Sequence, residues 1–346
     1  MIRVPADKIT ELGIEIFTKQ GTSLERATFL VETLVEGNLA GHDSHGVYYY
    51  TRYSERIKQG YIKPMAEPEI VKETPGTAFI DGKWTFGQIT AKKLVETAVD
   101  KAKENMVSAV GAFNCNHIGR IGYYTDWAAK QGIISTFYVN VGNPIVSLHN
   151  GLGKTFGTNP YSASVPTGGD IPFLVDYATS VVAAGKLSVA SAKKAKIPKH
   201  WTRDQYGRVN DDPNILRDGG WLLPFGEYKG YGLQMVCELL GAVLTGSRVG
   251  PSGVELPPSP NGIFMMAVNP EAFIGLDEFT KNTDALLKQV KNWPALGGER
   301  VYVPGEPEKE TKEKRLREGI DLPETTWGEI MALCEELGID ADAILK

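Results

Sequence analysis

From Gly41 to Tyr53 the sequence reads Gly-His-Asp-Ser-His-Gly-Val-Tyr-Tyr-Tyr-Thr-Arg-Tyr, so thirteen residues hold two of the chain's 5 histidines, a serine and an arginine. An imidazole titrates near neutral pH, a guanidinium stays charged, and a hydroxyl both donates and accepts. Such a segment can bind a small organic anion and hand it a proton. His117 lies in a second such segment, Asn114-Cys115-Asn116-His117-Ile118-Gly119-Arg120-Ile121-Gly122-Tyr123-Tyr124, between a predicted strand end and a predicted helix start. Ligands of α/β proteins gather at the carboxyl ends of strands, and backbone N–H groups at a helix start favour an anion.

Other motifs carry less. Gly151-Leu152-Gly153-Lys154-Thr155-Phe156-Gly157 resembles a phosphate loop, but a Walker loop needs glycine where Leu148 stands, and Thr158-Asn159-Pro160 follows where a Rossmann fingerprint opens a helix. A glycine-rich turn is the better reading. His42 and His45 are three apart, yet no third ligand stands at a metal-site spacing and Gly46 breaks the helix, so no metal is expected. Asp176-Tyr177-Ala178-Thr179-Ser180 either orients a sugar hydroxyl or caps a helix. Lys229, set among glycines in Glu227-Tyr228-Lys229-Gly230-Tyr231-Gly232, suits a phosphate or an exposed ion pair.

These residues need elements to hold them. Ile9, Leu12 and Ile16 repeat at helical spacing, and Thr22 with Glu25 forms a capping-box pattern before a second helix carrying Ala27, Leu30, Val31 and Leu34. The first 60 residues therefore read as mostly helical. An α/β alternation follows: a strand at Ala78–Asp81, a helix from about Thr90 to Glu104, a strand from Val107 to Phe113, a helix from Ile121 to Lys130 stopped at Gly132, and a buried strand from Ile133 to Val141. Residues 142–169 are rich in turn formers, Phe173–Asp176 reads as a strand end, and 193–225 reads as a polar surface excursion. A helix from Tyr231 to Leu244, a proline-containing loop at Gly250–Asn261, a strand from Gly262 to Val268 and charged helices complete the pattern. Thr326 with Glu329 is the expected start of the last helix.

The chain has 346 residues and a formal net charge of −5, which gives no electrostatic footprint for nucleic acid. Cys115, Cys237 and Cys334 are odd in number and far apart, which argues against a disulfide framework. Residues 1–21 carry Asp7 and Glu11 without an apolar run of signal length, and 18 apolar residues never follow one another. A cytoplasmic protein with no membrane span is the expectation.

Together, Ser44-His45-Gly46, Asn116-His117 through Gly122-Tyr123, Gly157-Thr158-Asn159-Pro160, Asp176 to Ser180, Lys229-Gly230 and Val303-Pro304-Gly305-Glu306 resemble the malate/L-lactate dehydrogenase family over nearly the whole chain. Gly41-His42-Asp43 and Ile118-Gly119-Arg120 look most like its hydroxycarboxylate dehydrogenase B branch. The resemblance implies an α/β fold whose NAD(P)-binding sheet domain is not of the Rossmann type, at residues 73–307. A helical domain at residues 1–72 would be joined by C-terminal helices at 308–346. It also implies a homodimer with active sites at the subunit interface, and NAD or NADP as cofactor. Carried over by motif, His45 and His117 are the candidates for general acid/base and Ser44 contacts substrate. Cofactor contacts fall at Asn140, Thr158, Asn159, Leu174, Val175, Asp176, Tyr177, Ala178, Thr179, Ser180, Tyr228, Lys229, Gly305 and Glu306.

One departure concerns the substrate carboxylate. Many relatives carry arginine four residues beyond the histidine of Ser-His-Gly, but here that residue is Tyr49, and a neutral phenol cannot supply a bidentate charge. Arg120 is the proposed replacement, with Arg52 second; the alternative is that Arg120 pairs with a neighbouring carboxylate. Tyr49 and Tyr53 join the substrate contacts, and Tyr48, Tyr49 and Tyr50 are expected to line a cavity suited to an aromatic or bulky 2-oxo acid, although aromatic rings also fill cores. The expected reaction is reversible hydride transfer at C2 of a 2-oxo acid, with a histidine protonating the developing alkoxide. Malate or L-lactate oxidation, reduction of a cyclic imine-2-carboxylate, a metal hydrolase at His42 and His45, and a non-catalytic nucleotide-binding protein are the rivals.

Overall fold

The computed structural model describes residues 1–192, 194–247 and 260–346. The chain opens with β1 (Ile2–Val4), α1 (Ala6–Lys19), α2 (Leu24–Leu39) and α3 (Tyr49–Lys58), the last two linked by a 3-10 turn at Asp43–His45. Ser23, not Thr22, caps α2, accepting a hydrogen bond from the Arg26 amide. β2 (Glu69–Glu73), β3 (Thr77–Asp81), α4 (Gly87–Asn105), β4 (Val107–Cys115), α5 (Gly122–Lys130) and β5 (Ile134–Val141) follow. The expected α/β alternation is present, and α4 starts three residues earlier than its apolar period indicates.

Next come β6 (Tyr161–Val165), β7 (Phe173–Tyr177), α6 (Ala184–Ala192), and the short strands β8 (Thr202–Arg203), β9 (Val209–Asn210) and β10 (Trp221–Leu222). The stretch expected to be a polar excursion thus folds into a three-stranded sheet in the order β10-β8-β9. It rests on a small apolar cluster that includes Val146, Leu187, Ile215 and Leu222. α7 (Tyr228–Glu238) continues into a π-helical turn at Leu239–Val243, where an unbroken α-helix from Tyr231 to Leu244 was expected. Of the expected loop at Gly250–Asn261, residues 250–259 lie outside the described residues. β11 (Asn261–Val268), α8 (Leu276–Lys291), α9 (Glu306–Glu318), β12 (Ile320–Leu322), α10 (Glu324–Glu336) and α11 (Ala341–Leu345) complete the chain. α10 starts behind Pro323, two residues ahead of Thr326.

Seven strands form the main mixed sheet in the order β2-β3-β4-β11-β5-β6-β7, with β3 and β4 parallel and the other pairs antiparallel. β11 lies in the middle, and six of its eight residues are buried, as its unbroken apolar run requires. Val110, Ala112, Phe137, Val139, Ile263 and Met265 pack against α4 and α5 on one face. α7 and its π-turn lie over the alternate residues on the other face, where Thr245 approaches Gly111. A separate core joins α1, α2 and α3 to β12, α10 and α11, and antiparallel pairing of β1 with β12 ties the two ends of the chain together.

Candidate active site

Two short segments bring the imidazoles together. The 3-10 turn is pinned by Asn38, whose Nδ2 donates to Asp43 at 2.7 Å and whose Oδ1 accepts the Val47 amide at 2.8 Å. Gly37 lies so close beneath the turn that a Cβ there would sit 2.9 Å from the His45 carbonyl. The His117 loop leaves β4 and is held by Asn116, whose buried Nδ2 lies 2.9–3.1 Å from the carbonyls of Tyr61, Trp84 and Thr85. The Ile118 amide donates to Asn261, and Tyr124 donates to the Ile118 carbonyl. The end of α2 thus fixes the first backbone, and residues as distant as Asn261 fix the second.

The rings of His45 and His117 stack with centroids 5.7 Å apart and planes 18° from parallel. Tyr49 stacks on His117 at 4.2 Å, also at 18°. Ser44 Oγ lies 3.0 Å from Nδ1 of His45, and Tyr53 Oη lies 2.7 Å from Nδ1 of His117. Burial lowers the His45 pKa to about 4, opposed by the Asp176 charge and reinforced by His42 and Arg120. Burial, then the charges of His45 and Arg56, hold His117 well below the ordinary imidazole range. Burial raises the Tyr49 phenol to about 12, so it stays neutral.

Arg120 is buried beside this pair. Its Nε lies 3.3 Å from Asp176 and its Nη1 3.8 Å from Glu36, yet among the described residues Nε and Nη2 find no aligned hydrogen-bond acceptor. Asp176 also accepts the Gly122 amide at 2.9 Å, which anchors the start of α5 to β7. Gly185, at the start of α6, faces Ser44 closely enough that a Cβ would sit 2.7 Å from that of the serine. Ser44, His45, Tyr49, Tyr53, His117, Arg120 and Asp176 therefore occupy one locality. Arg52 does not join them: its guanidinium covers the Tyr48 ring at 3.4 Å and reaches Glu329 of α10. Tyr50 is not a cavity residue either, being fully buried with its hydroxyl donating to the Ile9 carbonyl.

The residues carried over as cofactor contacts form several groups. Asn140 and Asn159 donate to the buried Glu238 carboxylate at 2.8 and 2.7 Å, while Thr179 bonds the Thr158 carbonyl through both its amide and its hydroxyl. Leu174, Val175, Asp176 and Tyr177 end β7; Ala178, Thr179 and Ser180 follow, and Ser180 bridges to Pro224. Gly305 packs on Leu174. Glu306 is engaged within the protein, accepting the Val303 amide and pairing with Lys291 and Arg300. Tyr228 and Lys229 are exposed at the start of α7, with Tyr228 near His149. Sequence reasoning missed Gln88, Glu36, Arg56 and Glu238. No sequence signal marked Gln88, which lies two residues ahead of the expected helix start at Thr90 and enters the first turn of α4 only because that helix begins at Gly87. Among the described residues no group of three or more His, Cys, Asp or Glu side chains could hold a metal ion, and no helix is long and apolar enough to cross a membrane.

The family model described as malate/L-lactate dehydrogenase matches residues 4–331. The chain belongs to the malate/L-lactate dehydrogenase family. It is 35% identical over 340 residues to the L-sulfolactate dehydrogenase of Methanocaldococcus jannaschii, covering 97% of each chain. It is 33% identical over 336 residues to hydroxycarboxylate dehydrogenase B of Escherichia coli K12, covering 95% of this chain and 92% of that one. The solved M. jannaschii sulfolactate dehydrogenase superposes with a TM-score of 0.92 at 34% identity over 100% of both chains. As a member of the malate/L-lactate dehydrogenase family, the protein is an oxidoreductase acting on the CH–OH group of hydroxy acids.

Proposed function

We propose that the protein interconverts 2-oxo and 2-hydroxy acids with NAD or NADP, using an imidazole of the His45–His117 pair as general acid/base. The observation that carries this reading is the stacked imidazole pair beside a buried arginine. A neutral imidazole can take a proton from a hydroxyl, and an imidazolium can return one, a contribution of roughly 100- to 10,000-fold. Arg120 Nη2, a buried donor with no hydrogen-bond partner among the described residues, suits an oxygen of a substrate carboxylate, while Nε faces Asp176 at 3.3 Å. Asp176 and Glu36 hold the guanidinium in place for it.

A nicotinamide cofactor fits the residues around Asn140. Asn140 Oδ1 and Gln234 Oε1 are buried without hydrogen-bond partners among the described residues, beside Asn159 and Gly157, and such amide acceptors suit a carboxamide or a ribose hydroxyl. When bound, the reduced dinucleotide supplies a hydride. Asn140, Asn159, Thr179 and Asp176 would hold it, while Tyr49 excludes water from one face of His117. The preference for a bulky or aromatic side chain rests on Tyr49 alone, since Tyr50 belongs to the core and Tyr48 is covered by Arg52.

A homodimer is part of the same proposal. The chain exposes 16395 Å², against about 13,800 Å² for a compact monomer of this mass. α8 buries none of its residues although it is amphipathic, and Leu286, Trp293 and Leu296 are exposed on and beyond it; Leu239, Val243 and Leu244 are exposed on the π-turn and just after it.

The test is a panel of pyruvate, oxaloacetate, phenylpyruvate, hydroxyphenylpyruvate and a cyclic imine-2-carboxylate with NADH and NADPH, followed by nicotinamide absorbance. Turnover of an oxo acid is the expected result. No turnover with any of them defeats the reading, and a clear preference for oxaloacetate defeats the aromatic specificity. In Arg120→Ala the Michaelis constant for the oxo acid should rise, about 30-fold or more for loss of a buried charge partner.

A further inference from the structure

Behind His117 lies a chain of hydrogen bonds that the general acid/base reading leaves unused. Gln88, fully buried in the first turn of α4, places its Nε2 2.8 Å from Tyr53 Oη. Tyr53 is fully buried as well, and its Oη lies 2.7 Å from His117 Nδ1 and 3.2 Å from the His117 carbonyl. A phenol has one proton. With the Gln88 amide donating to its oxygen, Tyr53 gives that proton either to Nδ1 at 2.7 Å or, with Nδ1–H donating to Oη, to the carbonyl at 3.2 Å; a separation of 2.7 Å is short for an N–H donor and usual for a hydroxyl donor, which favours donation to Nδ1. An imidazole whose Nδ1 accepts carries its own proton on Nε2. Among the described residues no protein group hydrogen-bonds Nε2.

We propose that Gln88 and Tyr53 are positioning residues that fix His117 in the Nε2–H tautomer, so that it serves as a neutral hydrogen-bond donor to the substrate C2 oxygen. The inference rests on the dehydrogenase reading for its substrate, but the tautomer stands on its own geometry. A proton passing from Nε2 to the alkoxide would require Tyr53 to surrender its own proton to Nδ1 and become a buried phenolate. Burial pushes that phenol's pKa far up, so the transfer is closed. His117 thereby stays neutral and holds the oxygen, as an oxyanion-hole donor does. The proton that moves belongs to His45, whose Nδ1 faces the adaptable hydroxyl of Ser44.

The amide of Gln88 decides between two outcomes. Turned over, its oxygen would accept the Tyr53 proton, and His117 would carry its proton on Nδ1. Selective ¹⁵N labelling of histidine and long-range proton–nitrogen correlation distinguish the two, with His117 assigned from the spectrum of His117→Asn. The expected result is a pyridine-like Nδ1 and a pyrrole-like Nε2 in the unliganded protein at neutral pH. In Tyr53→Phe the two tautomers should mix, and in Gln88→Leu they should shift partway. A pyrrole-like Nδ1 in the wild-type protein overturns the proposal, as does an unchanged tautomer in a folded Tyr53→Phe. Kinetically, Tyr53→Phe should lower kcat about 10- to 100-fold, with the Michaelis constant within about twofold; a rise in the Michaelis constant alone also overturns it. The wild-type spectrum needs no turnover, so failure of the dehydrogenase reading and failure of this one are separate results.

Discussion

Tyr49 lies face to face with His117, ring centroids 4.2 Å apart, at the position where the helix following the 3-10 turn begins. The stack removes one face of the imidazole from water and supplies no charge, and so favours the neutral ring. Tyr49→Phe should preserve the stack and keep kcat/KM within about threefold, since the aromatic contact is worth roughly 1 kcal/mol beyond its area. Tyr49→Ala should let water reach His117 and move its titration up toward the ordinary imidazole range. Histidine NMR across pH 4–8 checks this; an unmoved titration in Tyr49→Ala removes the desolvating role.

With the His45 pKa lowered to about 4, the resting imidazole is already a base at neutral pH. Oxidation of a 2-hydroxy acid should therefore show kcat/KM flat from about pH 6 upward on its acid side, with the acid limb near pH 4, because kcat/KM reports the free enzyme's ionisations. Reduction, which draws on the protonated ring, should decline across the same neutral range as pH rises. Initial rates in both directions against pH measure it. An oxidative limb at the ordinary value near 6.5 contradicts the assignment to a buried His45.

Stability should follow the same groups. Both imidazoles have folded-state pKa values below the unfolded value, so between about pH 4 and 6.5 the unfolded chain binds more protons than the folded one. Their contribution is complete above pH 6.5 and is lost progressively as pH falls toward 4. Urea unfolding at stepped pH should show this slope, and His117→Asn should flatten it. An equal slope in that variant would place the acid sensitivity elsewhere.

The legible parts of the sequence were those whose chemistry is local. β4 is a strand-like run from Val107 to Phe113, β11 is apolar from Ile263 to Val268, the His45 segment stands just past a helix end and the His117 loop between a strand and a helix, so the places of both imidazoles in the fold could be read from the chain. β6 could not. Its inward residues are Ser162 and Ser164, whose hydroxyls donate to the carbonyls of Val175 and Phe173, so the usual apolar-inward alternation is inverted there. The three short strands after α6 were hidden for a different reason: two-residue strands carry no period, and their cluster forms only when distant residues such as Val146 and Leu222 meet. Gln88, Glu36 and Glu238 owe their meaning to partners dozens of residues away, which spacing cannot reveal. The same holds for Arg52, which the helix turns toward Glu329 and away from the imidazoles.

Gly87 offers a steric test of how the His117 loop is supported. It opens α4 beneath that loop, and a Cβ there would press into the carbonyls of Asn116 and His117, lying 2.6 Å from the His117 carbonyl carbon. Backbone cannot yield as a flexible side chain can. Gly87→Ala should lose about 1–3 kcal/mol of stability, typical of overpacking, and displace the imidazole from Tyr53. Chemical denaturation and the His117 resonances check the two effects separately; a variant of wild-type stability with an unmoved His117 would show that the loop can shift freely.

Asp176 links three parts of the site. It pairs with Arg120, accepts the Gly122 amide, and is the strongest opposing charge against the desolvation of His45. Asp176→Asn keeps the shape and removes the charge. Arg120 would then depend on Glu36, at 3.8 Å and shared with Lys312 at 2.6 Å. Breaking a buried ion pair from one side costs about 3–5 kcal/mol, and the remaining carboxylate should bring the loss to the lower end of that range. Glu36→Gln alone should be milder because Asp176 remains. The double variant should lose more than the two single losses combined, since each carboxylate covers for the other. A urea-unfolding cycle on the four proteins measures that coupling. In the same Asp176→Asn protein His45 should titrate lower still, because the charge that raises its pKa has gone, and the acid limb of hydroxy-acid oxidation should move down with it. Strict additivity, together with an unmoved limb, would mean that Arg120 is held by its surroundings and not by these two carboxylates.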